Sequence, residues 1–522
     1  MSPGLSPALE RRARVYSMPA DLFIAIDCST TGVKCIVWDA SGSAVSTARA
    51  SLGLTVPMPG AGEQDPAEWW SATCEAVERA TRGIDPARFG SLCVANQRET
   101  FACLDADGVA VRPAMLWLDS RAGAEVEEFG SLAIHETTGK PPNTTPAFYK
   151  LLWLQKHEPE NMAKTRHIVD VHGYVTQRMT GLWSTSLASA DPLGLVDLVS
   201  GTYDAGLLSI AGITVDQLSE LVSPGDALGA LTADAATQLG LTAGLAVSAG
   251  AGDGQAAALG ADISRPGVAY INIGTGLVSG CYSESYRADR AYRVLTGPIP
   301  GTFSYELFVS GGTYLVNWFS ETFVDKSVRD TLQDGELELM LGKEAALVAP
   351  GSDGLLVLPY WNGALTPYWD HLARGMIFGI TGIHTRGHIY RALLEGLCFE
   401  LRVCLGRAEE VTGQRIDTFV AMGGGSKSAL WCQMMADILG RPITVSAESE
   451  TTCLGAGMLA AAGVGHFSSI RDASESMSSL GYTYLPDAML TPVYDDRFEQ
   501  YRQLYPLTRS LLPAIQSEAV HA

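Results

Sequence analysis

The stretch FIAIDCSTTGVKC, residues 23–35, decides how the rest of the chain is read. An apolar run ends in Asp27, a turn of Cys-Ser-Thr-Thr-Gly follows, and a second apolar run starts at Val33 with Lys34 inside it. An ordinary hairpin with a hydroxyl-rich turn is one reading. A phosphate loop is the other: backbone N–H groups, two Thr hydroxyls and a cation facing one anion, with Asp27 near a bound metal. What surrounds the turn separates the two.

Working outward, Leu22–Ile26, Val33–Trp38 and residues 44–50 read as a three-stranded meander joined by tight turns. Asp65, Pro66 and Glu68 have the chemistry of N-cap, N1 and N3 of a helix. Ser91–Ala95 is a further apolar run that leads into NQRET, and residues 146–157 read as a helix. LAVSAGAGDGQAAALGA at 245–261 reads as strand, glycine-rich turn and small-residue helix. VAYINIGTGLVSGCY, from Val268, repeats the opening pattern of strand, Thr-containing turn and strand. A long helix near 386–410, a strand at 418–421, the loop MGGGSKS, a helix to Leu439 with Gly440 at C′, and a strand near 442–445 follow. Strands alternating with helices predict an α/β protein, and two similar openings predict two related domains with a boundary near 255–265.

Composition is consistent with this division, because 522 residues are too many for a single core. A formal charge of −21 with no basic stretch excludes nucleic acid as a partner but leaves room for a small anionic ligand. The ten cysteines lie scattered, with no zinc spacing, as reduced thiols of a cytoplasmic protein would. Residues 1–20 lack an apolar h-region and read as a flexible leader, with Met18 a candidate start. No apolar run approaches the length of a membrane span.

Four small-residue turns each follow a strand: Asp27–Lys34, Gly250–Gln255, Gly274–Gly276 and Gly423–Ser426. Glycine lets backbone approach a ligand closely, and successive N–H groups there bind anions. With Asp27 and Asp253 they describe a site for ATP and Mg²⁺ in a cleft between two domains. His384 and His388, four apart, lack a third ligand and do not read as a metal pair.

At this point the chain resembles the FGGY family of carbohydrate kinases, from about residue 21 to about 500. GMIFGITGIHTRGHIYRALLEG at 375–396 is close to the family's C-terminal signature, TPYWDHLARG at 366–375 precedes it, and KLLWLQKHEPE at 150–160 matches the tail of the N-terminal one. The resemblance implies the actin-like ATPase (ribonuclease H-like) fold, two related domains around a hinged cleft. It divides the chain into a leader (1–20), an N-terminal domain (21–260), a C-terminal nucleotide-binding domain (261–500) and a tail (501–522). It also implies that Thr30, Thr31 and Lys34 face the transferable phosphate and that Asp27 and Asp253 lie at the metal. Gly274, Thr275 and Gly276 become a second phosphate loop, Gly423, Gly424 and Gly425 an adenosine loop with Ser428 near the purine, and Asp253 the catalytic base. Ser29 stands where the family usually has Gly.

The acceptor side rests on NQRET, which resembles the glycerol kinase site: Gln97, Arg98 as donor and Glu99 as acceptor for a vicinal diol. Thr145 stands for an expected Tyr and Gly254 for an expected Gln, which predicts room for a substrate larger than glycerol. The expected acceptor is a ketopentose of the xylulose type, with glycerol or a tetritol as the alternative and a homodimer left open. A reading of another class, a non-catalytic nucleotide-binding switch on the same fold, has no need of Asp253 or of a diol clamp.

Overall fold

The computed structural model describes residues 20–333 and 335–511, so the expected leader lies outside the described residues except for Ala20. Leu22–Cys28 (β1), Gly32–Asp39 (β2) and Ala44–Ser51 (β3) form the antiparallel meander. Asp65 caps helix Pro66–Thr81 (α1) by accepting from the Ala67 N–H at 2.9 Å, and α1 lays Trp69, Ala76 and Val77 on the sheet. Phe89–Asn96 (β4) runs parallel to β1.

Residues 97–226 supply three strands of a smaller four-stranded sheet, whose fourth is Glu63–Gln64, with helix Ala147–His157 (α2) in an adjoining core. Ala227–Ala230 (β5) and Ala246–Gly252 (β6) then complete a six-stranded sheet of order β5-β6-β4-β1-β2-β3, in which β6 is parallel to β4. Helix Asp253–Gly260 (α3) follows β6 directly.

The second half repeats the plan. Val268–Ile273 (β7), Leu277–Ser283 (β8), Arg293–Thr296 (β9) and Phe303–Val309 (β10) are followed by helices Thr313–Phe323 (α4) and Arg386–Thr412 (α5). Thr418–Met422 (β11), helix Ala429–Leu439 (α6), Ile443–Ser446 (β12), helix Thr451–Gly463 (α7) and Leu480–Tyr484 (β13) complete it. Gly440 terminates α6 in the left-handed region at φ 66°. The sheet order is β9-β10-β8-β7-β11-β12-β13, so β10-β8-β7-β11-β12 matches β3-β2-β1-β4-β6 strand for strand. The repeat expected from Val268 onward is therefore present in the topology.

Two features depart from the sequence division. Helix α7 packs not on the second sheet but on the first, where Leu454, Met458 and Leu459 share a core with Phe23, Ile36, Trp38 and Cys93. Glycine makes this possible: a Cβ at Gly455 would lie 1.9 Å from the Ala256 carbonyl oxygen, and one at Gly260 would lie 2.1 Å from that of Thr451. Residues 501–511 also do not form a tail. Helix Thr491–Thr508 (α8) takes in residues 501–508 and buries Tyr501, Leu504 and Tyr505 in the second core, and a 3-10 turn at Arg509–Leu511 follows it. Among the described residues no helix is long and apolar enough to cross a membrane.

Candidate active site

Strands β1, β4 and β6 are parallel, and their last residues are in register: Cys28 opposite Asn96, and Asn96 opposite Gly252. The segments that leave these ends (the Ser29 turn, Gln97-Arg98-Glu99 and Asp253) therefore emerge side by side, the usual place for a ligand in such a sheet.

Asp253 is the first residue of α3, and its Oδ1 accepts from the Gly254 N–H at 2.7 Å. The Arg98 Nε lies 2.8 Å from the same oxygen, and Oδ2 has no protein hydrogen-bond partner among the described residues. Burial raises the Asp253 carboxyl above its ordinary range, with Glu99 and Glu306 adding to the effect and Arg98 opposing it. A carboxylate with a raised pKa is a better proton acceptor than an ordinary surface one.

Arg98 and Glu99 do not engage each other; each reaches across to the second half. Arg98 Nη1 donates to both Glu306 oxygens at 2.9 and 3.0 Å. Arg293 donates from Nε to Glu306 Oε2 at 2.8 Å and from Nη1 to Glu99 Oε1 at 2.6 Å. The Tyr270 hydroxyl donates to Glu306 Oε1 at 2.7 Å. Burial opposes ionisation of Glu306, yet Arg98 and Arg293 pull its carboxyl down to about 2. Arg98 Nη2 and Glu99 Oε2 keep no protein partner among the described residues, which leaves one donor and one acceptor for a ligand. Glu99 holds φ at 59°, an unfavourable left-handed conformation for a side-chain-bearing residue.

Tyr270, Arg293 and Glu306 were not legible as site residues, since they lie on β7, β9 and β10 without a motif. They also correct the expectation for Gly254. A Cβ there would lie 2.8 Å from Glu306 Oε1 and 2.9 Å from the Arg98 guanidinium nitrogens, so the space is filled rather than vacant. Gln97 too is corrected, because it is buried and committed to the protein. Its Oε1 accepts from Thr30 and Thr100 and its amide donates to Gln64, so it braces the turn.

The β1–β2 turn is a hairpin closed by Ser29, whose N–H and hydroxyl both donate to the Gly32 carbonyl. The Thr30 hydroxyl accepts from Trp117 Nε1 at 3.0 Å and donates to Gln97 at 3.2 Å, so it faces the acceptor residues. Thr31 is exposed and accepts from Arg49 at 3.1 Å. The Lys34 ammonium pairs with Glu450, just before α7. Behind the acceptor residues the buried Lys150 ammonium donates to the carbonyls of Leu116, Trp117 and Thr145, at 2.7, 3.2 and 2.8 Å.

A bulge in β6 sets the approach to Asp253. The ladder slips between Ser248 and Ala251, and the Gly250 N–H donates to His172 Nε2 at 3.0 Å. Only glycine fits at 250, where a Cβ would lie 1.8 Å from the Val94 carbonyl oxygen.

Across the cleft, Gly274–Gly276 turns between β7 and β8, and the Thr313 and Tyr314 N–H groups at the start of α4 donate to the Gly274 and Thr275 carbonyls. Gly312 packs against this turn so tightly that a Cβ would lie 2.6 Å from the Gly274 carbonyl oxygen. The two glycines before α4 carried the available signal for this neighbour. Gly423, at φ 84°, and Gly425 pack onto the end of β7, whereas a Cβ at Gly424 would meet nothing within 4 Å. Ser428 accepts from the Trp431 N–H at 3.3 Å as N-cap of α6, so its hydroxyl is occupied locally.

Asp27 Oδ1 is buried with no hydrogen-bond partner among the described residues. Burial, Asp253 and Glu450 raise its carboxyl to about 7, against Lys34 and Arg49. A cation beside it would relieve that orphaned charge. The described residues hold no cluster of three or more His, Cys, Asp or Glu side chains at metal-binding range. A divalent ion here would thus draw its remaining ligands from phosphate and water, as Mg²⁺ commonly does.

Two sheets of matched strand order, with glycine turns at corresponding edges and a carboxylate at the end of β6, define the actin-like ATPase fold. Profiles of the N-terminal and C-terminal domains of the FGGY family of carbohydrate kinases match residues 22–260 and 269–464. The chain belongs to that family and is a carbohydrate kinase, a phosphotransferase with an alcohol group as acceptor. Kinases of the family use ATP. The chain is 29% identical to the xylulose kinase of Bacillus subtilis (strain 168), covering 95% of this chain and 98% of that one. It is 26% identical to the gluconokinase of the same strain, covering 95% and 96%. The crystal structure of xylulose kinase from Rhodospirillum rubrum is similar with a TM-score of 0.86 at 29% identity, covering 94% of this chain and 99% of that one.

Proposed function

We propose that the chain transfers the γ-phosphoryl group of ATP to a primary hydroxyl of a small sugar or polyol, first of all a ketopentose of the xylulose type. The observation that carries this reading is the meeting of Asp253, Arg98 and Glu99 at one sheet edge, with Asp253 Oδ2, Arg98 Nη2 and Glu99 Oε2 left without protein partners among the described residues. Arg98 Nη2 donates to one hydroxyl of a diol and Glu99 Oε2 accepts from the next. Asp253 takes the proton of the attacking hydroxyl as its oxygen bonds to phosphorus and the bond to the ADP oxygen breaks. Such a base contributes roughly 10²–10⁴-fold.

The Gly274–Gly276 and Gly423–Gly425 turns serve the phosphates and adenosine, and Thr31 and Lys34 approach the transferred group once Lys34 exchanges Glu450 for phosphate. Asp27 and Asp253 would hold Mg²⁺, which when bound neutralises charge on the phosphates. The relatives named xylulose kinase support the ketopentose over glycerol or a tetritol. The buried, unpaired thiols support a reducing, cytoplasmic setting.

The test is ADP release from purified protein with ATP, Mg²⁺ and a panel of xylulose, ribulose, erythritol and glycerol. Turnover with xylulose above that with glycerol is expected. Nucleotide binding with no transfer to any acceptor would favour the non-catalytic switch.

A further inference from the structure

We propose that Arg293 and Glu306 are specificity-determining residues of the acceptor site, and that the site they complete accepts an uncharged polyol or ketose and rejects an aldonate. The inference rests on the kinase reading above and narrows its substrate class.

Arg98, Arg293 and Lys140 are each already paired with a carboxylate, and the buried Lys150 is spent on three backbone carbonyls. Arg98 lies between Asp253 and Glu306, Arg293 holds Glu306 and Glu99, and the buried Lys140 pairs with Asp191, whose other oxygen accepts from the Thr296 N–H at 2.7 Å. Among Arg98, Arg293, Asp253, Glu99 and Glu306 the carboxylates outnumber the guanidinium groups, and Glu306 is only 1% exposed on its side chain. A sugar carboxylate entering here finds both guanidinium groups already paired with carboxylates, Lys150 buried and held by carbonyls, and like charges at low dielectric, which is strongly unfavourable. A hydroxyl needs no counter-charge and can use the free Arg98 Nη2 and Glu99 Oε2. The arrangement is also locked in place: Tyr270 fixes Glu306 from behind, and the Arg293 guanidinium lies 4.4 Å over the Phe308 ring. The 26% identical gluconokinase makes the question concrete, because gluconate and xylulose differ in this charge.

The experiment measures kcat/KM of the wild type, Glu306→Gln and Arg293→Lys for xylulose, erythritol and gluconate at saturating ATP and Mg²⁺. Wild type should favour its best uncharged acceptor over gluconate by at least about a hundredfold. Glu306→Gln removes one negative charge and should narrow that ratio by about tenfold or more, chiefly through a lower KM for gluconate. Arg293→Lys keeps the charge but loses the two-pronged contact, so it should raise KM for the uncharged acceptors and leave the ratio in place. Wild type using gluconate within tenfold of its best uncharged acceptor overturns the inference and leaves the kinase reading standing. So does an unchanged ratio in a folded Glu306→Gln variant. Should Glu306→Gln not fold, the wild-type ratio and the Arg293→Lys profile decide. Transfer to none of the three acceptors, nor to ribulose or glycerol, removes both readings together.

Discussion

Replacing Glu99 isolates the acceptor half of the site from the nucleotide half. Its Oε1 is spent on Arg293 at 2.6 Å, so only Oε2 remains for a substrate hydroxyl. A hydrogen bond to a charged group contributes roughly 1.5–3 kcal/mol, so Glu99→Ala should raise the acceptor KM about tenfold to a hundredfold. Glu99→Gln keeps the shape and an oxygen but not the charge, and should cost nearer fivefold to tenfold, or about 1–1.4 kcal/mol. Neither should move the ATP KM beyond about twofold, or about 0.4 kcal/mol, well below the effect expected on the acceptor. The backbone supplies an internal control. With φ at 59°, Glu99→Gly relieves strain that Glu99→Ala retains, so the Gly variant should be the more stable by about 1 kcal/mol while binding acceptor equally poorly. A coupled ADP assay varying acceptor and ATP separately, with thermal unfolding alongside, reads all of this. Acceptor and ATP KM values rising together, or an acceptor KM unchanged in Glu99→Ala, would refute the assignment.

The nucleotide loop and the second core give two further tests. Gly425→Ala places a Cβ 2.3 Å from Ile273 Cγ2 and should lower the melting temperature, whereas Gly424→Ala meets nothing and should fold normally while raising the ATP KM. Equal melting temperatures would contradict the packing, and an unchanged ATP KM in a folded Gly424→Ala would contradict the loop assignment. Glu400, buried with its Oε2 accepting from Tyr360 and Tyr501, has its carboxyl raised to about 7 by burial. A folded-state pKa above the unfolded value means stability present below about pH 4.5 and lost as pH rises through about 7, a loss of roughly 3 kcal/mol. Glu400→Gln should flatten that segment of the pH–stability curve; an identical slope in wild type and variant would sink the point.

Local chemistry made much of this molecule legible. The Asp65 cap, the two hairpin turns, the Gly440 stop and the strand and helix that meet at Asp253 are each written in consecutive residues and form in the structure, though the glycine-rich turn expected between the last two is a bulge inside β6. What sequence could not show is which distant residue fills a given space. Gly254 reads as vacant room until Glu306, on a strand of the other half, occupies it. Arg98 and Glu99 read as one clamp, yet their partners lie 208 and 194 residues away. Helix α7 reads as part of the second half because it follows β12, and only the glycine contacts at Gly260 and Gly455 reveal that it packs on the first sheet. The polar atoms of Gln97 and Ser428 serve the turn and the helix cap, partners that no local pattern announces.

The central claim is that Asp253 removes the proton from the acceptor hydroxyl. The measurement is kcat of Asp253→Asn with saturating ATP, Mg²⁺ and xylulose, beside the nucleotide dissociation constant of the same variant. Asparagine keeps the size but cannot take a proton, so kcat should fall by at least about a hundredfold while nucleotide affinity stays within about twofold. Turnover near the wild-type value in a folded Asp253→Asn variant would contradict the account and reduce Asp253 to the first residue of a helix.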